Sequence, residues 1–182
     1  MIRRGWFLAL SLGVAALLLM VFGLTHLRAR VGASRLPERG RSIQAIEGCP
    51  ALVEILFDGR RAPHVYSGSD SALWFAQGYL HARDRFFQMD LTRRKANGRL
   101  AELFGTKALD DDRKMRVLSP AASARRQSAL LTGYERRVLE VYASGVNAAL
   151  QQFGSWIAPE VWLLGIAPEP WTVEDSLVGG VL

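Results

Sequence analysis

FAQGYLHARDRFFQMD, residues 75–90, is the stretch on which the reading of this 182-residue chain turns. Around it Leu73, Ala76, Leu80, Phe87 and Leu91 recur at spacings of three, four and seven, and Trp74, Phe75, Tyr79, Phe86 and Met89 widen the apolar face. Such spacing, with so many aromatic rings, predicts a helix buried in a core rather than one resting on a surface. Ser69 or Asp70 supplies the cap at its start, and Gly98 interrupts it. Among its polar residues, His81 and Asp84 lie three apart and Asp84 adjoins Arg85. A structural ion pair is preferred here to general acid–base chemistry.

Beyond Gly98 a short turn through Leu100, Leu103 and Phe104 ends on Gly105, a residue suited to a C-terminal cap. Asp110-Asp111-Asp112 resembles a cation site, yet three successive helical residues point about 100° apart. An exposed acidic helix start is therefore the preferred reading. A helix over 120–131 follows, and Thr132-Gly133-Tyr134-Glu135 makes a capping box for another, with Val138, Val141, Tyr142, Gly145, Val146 and Ala149 on one face. Trp156, Pro159, Trp162, Pro168, Pro170 and Trp171 mark an irregular aromatic connection, after which Thr172 and Asp175 cap a last helix. On the N-terminal side, residues 53–57 and Val65-Tyr66 read as two strands. The Asp58-Gly59 signal and Pro63 join them into a β-hairpin.

Residues 5–24, GWFLALSLGVAALLLMVFGL, are apolar save for Ser11. At 1.5 Å per residue they reach roughly 30 Å, the thickness of a bilayer core. The expectation is a transmembrane helix, and an uncleaved signal anchor is favoured over a cleaved signal peptide, whose apolar region is about 7–15 residues long. The basic N-terminus, residues 1–4, then lies in the cytoplasm and the body on the periplasmic or extracellular side, although Arg28 and Arg30 balance Arg3 and Arg4 in the positive-inside count. Residues 25–48, with Pro37 and a basic bias, read as a linker to the globular residues 49–182.

Seven arginines against Glu38 in residues 1–41 account for the whole formal charge of +6, and the remainder carries 16 charges of each sign. A neutral body excludes a nucleic-acid-binding surface. The single cysteine excludes a disulfide framework and a multi-cysteine metal site. Cys49 reads as a small half-buried apolar residue, the other reading of Gly48-Cys49 being an autocleavage junction that frees a thiol nucleophile.

No nucleophile elbow, Walker loop, His-Glu-x-x-His or Rossmann fingerprint occurs, so spacing alone stops at a mostly helical domain with a small β element. The order of motifs goes further. Asp58-Gly59-x-x-x-Pro63-His64-Val65, the stretch 75–90 with Arg93-Arg94 after it, GRLAELFG at 98–105, ASGVNA at 143–148 and Pro168-Glu169-Pro170-Trp171-Thr172-x-x-Asp175 follow one another between residues 53 and 175. In that order the chain resembles the α-chain region of the penicillin acylase family of N-terminal-nucleophile hydrolases. The hairpin departs from the family's D-x-x-G-x-P-H-I, because Gly59 sits two residues early and Ala62 stands where a glycine or another small residue is usual.

The resemblance implies an αββα hydrolase made as one precursor, which cuts itself and exposes a serine as the first residue of a β chain. With its own α-amino group as base, that serine attacks the amide carbonyl of an N-acylated substrate such as a β-lactam or an acyl-homoserine lactone. It also implies the β chain as partner, a structural calcium ion in the complete enzyme and no cofactor held by this chain. The nucleophile, the oxyanion donors and most calcium ligands belong to the β chain, and the α-chain residues that line the acyl pocket lie beyond Leu182. No catalytic, cofactor-binding or metal-binding residue is therefore assigned.

The positions carried over are structural: Pro63, His64, Gly78, Asp84, Arg85, Gln88, Met89, Gly98, Glu102, Gly105, Asn147, Pro170 and Trp171. On this reading Asp84, Arg85 and Gln88 fix the long helix through buried hydrogen bonds, and Asn147 tethers the next helix. The expected fold class is α+β, an N-terminal transmembrane helix followed by the mostly helical α-chain part of an αββα fold, cut short at its C-terminal end and incomplete without its β chain. The competing reading is a truncated, inactive, membrane-anchored protein that serves as a binding or interaction module. A complete small enzyme using Cys49 ranks below both.

Overall fold

A computed structural model describes Gly13 and residues 16–26, 40–44 and 46–178. The chain divides into two compact units, Met1–Leu36 and Pro37–Leu182. In the first, residues 16–26 are helical, with apolar side chains such as Leu17, Leu19 and Phe22 exposed. Half of the expected span 5–24, residues 5–12, 14 and 15, falls outside the described residues. Among those described, no helix is long and apolar enough to cross a membrane.

The second unit is mostly helical with a small sheet, as the α+β reading requires. Strands β1 (Gly40–Gln44), β2 (Val53–Phe57) and β3 (Pro63–Tyr66) form an antiparallel sheet with β2 in the middle. Gly40 lies opposite Phe57, Gln44 opposite Val53, and Ile55 opposite Val65. The β2–β3 pair is the expected hairpin. Strand β1 was not expected, because it lies in the segment read as linker. Its sequence, GRSIQ, has one large apolar residue and no alternation, so only pairing with β2 makes it a strand.

The hairpin loop also differs from its expected form. Arg61 takes the left-handed conformation, φ 64°, and Gly59 does not. Asp58 Oδ1 accepts the backbone N–H groups of Arg60 and Ala62, both at 2.8 Å, so an acidic side chain organises the turn.

Helix α1 (Asp70–Ala96) starts where Ser69 Oγ accepts the N–H of Ala72. After Gly98 come α2 (Ala101–Phe104), closed by Gly105 at φ 64°, then α3 (Leu109–Leu118) and α4 (Pro120–Leu130). Helix α5 (Gly133–Phe153) carries the expected reciprocal box between Thr132 and Glu135. Short helices α6 (Pro159–Leu163) and α7 (Val173–Val178) follow, the latter opened by a second reciprocal pair, Thr172 with Asp175.

The acidic triplet needs correction. Asp110 and Asp111 are exposed and pair with Arg113 and Lys114, but Asp112 is buried. Its carboxylate accepts the N–H groups of Leu100 and Ala101 at 2.8 Å each, satisfying the start of α2 from another helix.

The core sits where α1 crosses α5. A Cβ on Gly78 would lie 2.1 Å from the carbonyl oxygen of Tyr142, and one on Gly145 only 2.0 Å from that of Phe75. Two missing side chains thus let the backbones touch. Val53, Ile55 and Phe57 of β2 pack on these helices together with Ile157, Val161, Ile166 and Trp171. A smaller cluster of Ala96, Ala124 and Val178 joins α1, α4 and α7.

Candidate functional site

Three residues of one helix turn organise the polar interior. Asp90, Arg93 and Arg94 are at most 5% exposed, and their i, i+3, i+4 spacing puts them on one face of α1. Asp90 Oδ1 accepts Arg93 Nε at 3.1 Å, and Oδ2 accepts Arg94 Nε at 2.7 Å. Two guanidinium forks on one carboxylate make charge-assisted bonds, which are shorter and stronger than neutral ones.

Arg93 then reaches across to the segment before α7. Its Nη1 donates to the carbonyls of Glu169 at 3.3 Å and Pro170 at 3.1 Å, and lies 3.6 Å from Asp175. Its guanidinium sits 5.3 Å over the Trp171 ring. From α5, Asn147 Oδ1 accepts the N–H of Trp171 at 2.7 Å while its Nδ2 donates to the Trp171 carbonyl at 3.0 Å. Trp171 Nε1 donates to Ser176 Oγ at 2.9 Å. The elbow at 169–172 is thereby held from α1, α5 and α7. Among the described residues no buried side-chain nitrogen or oxygen lacks a partner.

A more exposed brace lies outside this layer. Arg99 donates to Glu169 at 2.6 Å and to Glu102 at 2.7 Å, and Arg94 also reaches Glu102. The Arg99 bonds hold the carboxyl groups of Glu169 and Glu102 below the usual glutamate range, and the Ser128 hydroxyl does the same for Glu174. A folded pKa below the unfolded value gives stability that is present above the unfolded value and lost as pH falls through the folded one. The melting temperature is therefore expected to hold between neutrality and about pH 5 and to fall below about pH 4. Glu169→Gln should flatten that fall in a thermal melt series. An unchanged acid limb would remove Glu169 from the account.

Between α1, α5 and α7 lies an open cleft of 340 Å³. Trp74, Met89, Tyr142 and Trp171 give it aromatic and apolar walls, and Gln77, Thr92, Asp175 and Ser176 give it polar points. The reactive side chains nearby are otherwise engaged. Ser176 accepts from Trp171; away from the cleft, half-buried Cys49 donates to the carbonyl of Ala51 at 3.1 Å. His81 Nδ1 lies 3.0 Å from the Tyr142 hydroxyl, and burial pushes its pKa down against the opposing pull of Asp84. These contacts pair no nucleophile with a base. Among the described residues no group of three His, Cys, Asp or Glu side chains is placed to hold a metal ion.

Of the residues singled out from the sequence, Asn147, Pro170 and Trp171 meet around Arg93, and Glu102 joins through Arg94. Gly78 sits at the helix crossing and half-buried Met89 on the cleft. Gly98, at φ 60°, lies under Arg116, which donates to its carbonyl. Gly105 closes α2, while Pro63 and His64 are exposed on β3, with His64 Nε2 3.6 Å from Asp58. The Asp58 carboxyl is held below its usual range, first by the Ala62 N–H.

The expected buried network of Asp84, Arg85 and Gln88 is corrected: all three are exposed. Asp84 pairs with its neighbour Arg83 at 2.8 Å, and Arg85 reaches only Gln88, at 3.3 Å. Buried Ala82, Arg83, Phe86 and Asp90 mark the inner face of this part of α1, and Asp84, Arg85 and Gln88 fall between them on the outer one. Asp84→Ala takes the carboxylate from Arg83, itself 9% exposed, and is accordingly expected to cost about 1–3 kcal/mol in chemical denaturation, short of unfolding the domain. Loss of folding would restore the buried reading. The true network, Asp90 with Arg93, Arg94 and Arg99, carried a signal in its spacing that sequence reasoning passed over.

A model of the penicillin amidase family matches residues 52–181. The penicillin acylase 2 proenzyme of Pseudomonas sp. (strain SE83) is 40% identical over 133 residues, covering 73% of this chain and 17% of that protein. The acyl-homoserine lactone acylase QuiP of Pseudomonas putida is 36% identical over 167 residues, covering 92% of this chain and 20% of that protein. Among solved structures, a thermostable penicillin G acylase from Alcaligenes faecalis superposes with a TM-score of 0.58 at 34% identity, over 69% of this chain and 68% of that one. The chain thus spans 17–20% of the length of these two curated relatives.

Proposed function

The chain belongs to the penicillin amidase family, and from that premise we propose that it is the amino-terminal, α-chain portion of an acylase precursor. The enzyme hydrolyses the amide bond of N-acylated substrates, the class to which β-lactams and acyl-homoserine lactones belong. One observation carries this reading: separate motif segments of the sequence, 98–105, 143–148 and 168–175, contribute to one brace around Arg93 and Arg94, so the segments that carry the resemblance also meet in the fold of this chain. The small share of the relatives that the chain spans fits a portion that works with a larger partner.

On this reading the nucleophile is a serine that begins the β chain, its α-amino group takes the proton, and the oxyanion that forms is stabilised by β-chain donors. Residues 42–182 serve as scaffold and are inactive alone. The complete enzyme takes a structural calcium ion with most of its ligands from the β chain, and residues 5–24 anchor the protein with its body on the outer side of the membrane.

The test is intact mass and N-terminal sequencing of what co-purifies with the chain from its native membrane. A partner of several hundred residues beginning with serine is expected. A lone 182-residue chain without amidase activity would replace the acylase with an anchored interaction module.

A further inference from the structure

We propose that the turn between β2 and β3, residues 58–62, docks on the anionic headgroups of the membrane that holds the chain, with Arg60 and Arg61 as its phosphate-binding side chains. The proposal rests on the reading of residues 5–24 as an anchor. Gly40 lies opposite Phe57 and Phe57 opposite Pro63, so the three strands share one end, and the turn projects from it. The chain coming from the anchor enters β1 at that same end, at Gly40, 16 residues after Leu24. At about 3.3–3.6 Å per residue, even a fully extended connection reaches no more than roughly 60 Å. A group tethered over so short a span meets the surface at an effective concentration of about millimolar, so weak contacts suffice to hold it there.

The turn presents its cations from a fixed frame. Asp58 Oδ1 accepts the N–H groups of Arg60 and Ala62, and the Asp58 carbonyl accepts the N–H of Arg61 at 2.9 Å. Residues 58–64 are all exposed, and among the described residues neither the Arg60 nor the Arg61 guanidinium has a partner. The left-handed position of the turn, φ 64°, is filled by Arg61, while the turn's one glycine, Gly59, stands two residues away in open space. Left-handed backbone is unfavourable for arginine and free for glycine, so the charge at this position is kept against a local backbone preference.

Charge and connectivity together select the occupant. Asp58, the acid of the turn, is taken up by the turn's own N–H groups and faces His64 at 3.6 Å. Glu54 stands further along β2, opposite Ile43 and Tyr66. The segment that leads into this end of the sheet, residues 25–41, adds Arg28, Arg30, Arg35, Arg39 and Arg41 against Glu38 alone. A basic cluster next to a membrane anchor is drawn to anionic lipid, roughly fivefold in association for each arginine near the surface. The guanidinium fork pairs with two phosphate oxygens at once, which suits a lipid headgroup.

The experiment uses the whole protein reconstituted into phosphatidylcholine vesicles with and without phosphatidylglycerol, read by hydrogen exchange of peptides covering residues 57–64. Exchange is expected to slow roughly fivefold or more when phosphatidylglycerol is present, and to recover in high salt. Arg60→Ser combined with Arg61→Gly should abolish the slowing while the protein still melts within a few degrees of the parent, because glycine suits the backbone at position 61. Equal exchange in the two kinds of vesicle, slowing that survives in the double variant, or the same slowing from inorganic phosphate without phosphatidylglycerol overturns the docking. If the chain resists alkaline carbonate extraction in those cases, the anchor reading stands. Extraction by carbonate overturns the anchor and this proposal with it.

Discussion

Gly145→Ala should prevent the protein from folding. The new methyl carbon would lie 2.0 Å from the carbonyl oxygen of Phe75, 2.8 Å from its carbonyl carbon and 3.0 Å from the nitrogen of Tyr79. All three are backbone atoms of α1, so no side chain can swing aside. The reciprocal contact, Gly78 against the Tyr142 carbonyl, means that α5 cannot relax without also lifting its own backbone off α1. Overpacking that side-chain shifts can absorb costs about 1–3 kcal/mol. Separating two helix backbones goes past that range and would consume much of the ~5–15 kcal/mol that holds a domain folded.

Gly78→Ala should behave in the same way. Gly105→Ala is the informative control, because the space around Gly105 is open and only its positive φ is at stake. That cost is about 1–3 kcal/mol, because φ 64° with ψ −151° lies in a region essentially reserved for glycine. The comparison is made by soluble yield and thermal unfolding of the whole protein. A Gly145→Ala variant melting within a few degrees of the parent would mean that the helices do not cross this closely.

Asp90→Asn should be nearly as severe, through charge rather than volume. Asparagine keeps the shape of the side chain but leaves Arg93 and Arg94, both buried, without their shared anion. Removing one partner of a buried pair costs about 3–5 kcal/mol, because the remaining charge is out of water and uncompensated. The loss should spread along the Arg93 contacts to the 169–172 elbow, so hydrogen exchange at Trp171 and in α7 should rise together with the drop in urea midpoint. Asp90→Asn within about 1 kcal/mol of the parent would show that Glu102, Asp175 and the elbow carbonyls satisfy both arginines unaided. Asp84→Ala should cost less, because, of these two aspartates six residues apart on one helix, one is 1% exposed between two arginines and the other 41% exposed beside one.

Much of the architecture was legible because it is local. The cap at Ser69, the Thr132–Glu135 and Thr172–Asp175 boxes, the ends at Gly98 and Gly105 and the β2–β3 hairpin depend on residues within a few positions of each other. Their hydrogen bonds form wherever those residues fall. The motif order from 53 to 175 likewise named the family before any fold was known. Even in the candidate site, the three-and-four spacing of Asp90, Arg93 and Arg94 was there to be read.

What only the tertiary structure decided is where a residue's partner comes from another element. Strand β1 exists because β2 offers an edge, and Asp112 is buried because the start of α2 lies over it. Gly78 and Gly145, 67 residues apart in sequence, matter because their two helices cross with no room for a methyl group. Helical periodicity places residues around a cylinder, but which side meets the core depends on what packs there. Asp84 and Asp90, in the same motif, therefore ended on opposite sides of that boundary. The sequence determined the elements and their kinship, and the packing of α1 on α5 and the 169–172 elbow determined which polar residues are buried and therefore bear the load of the fold.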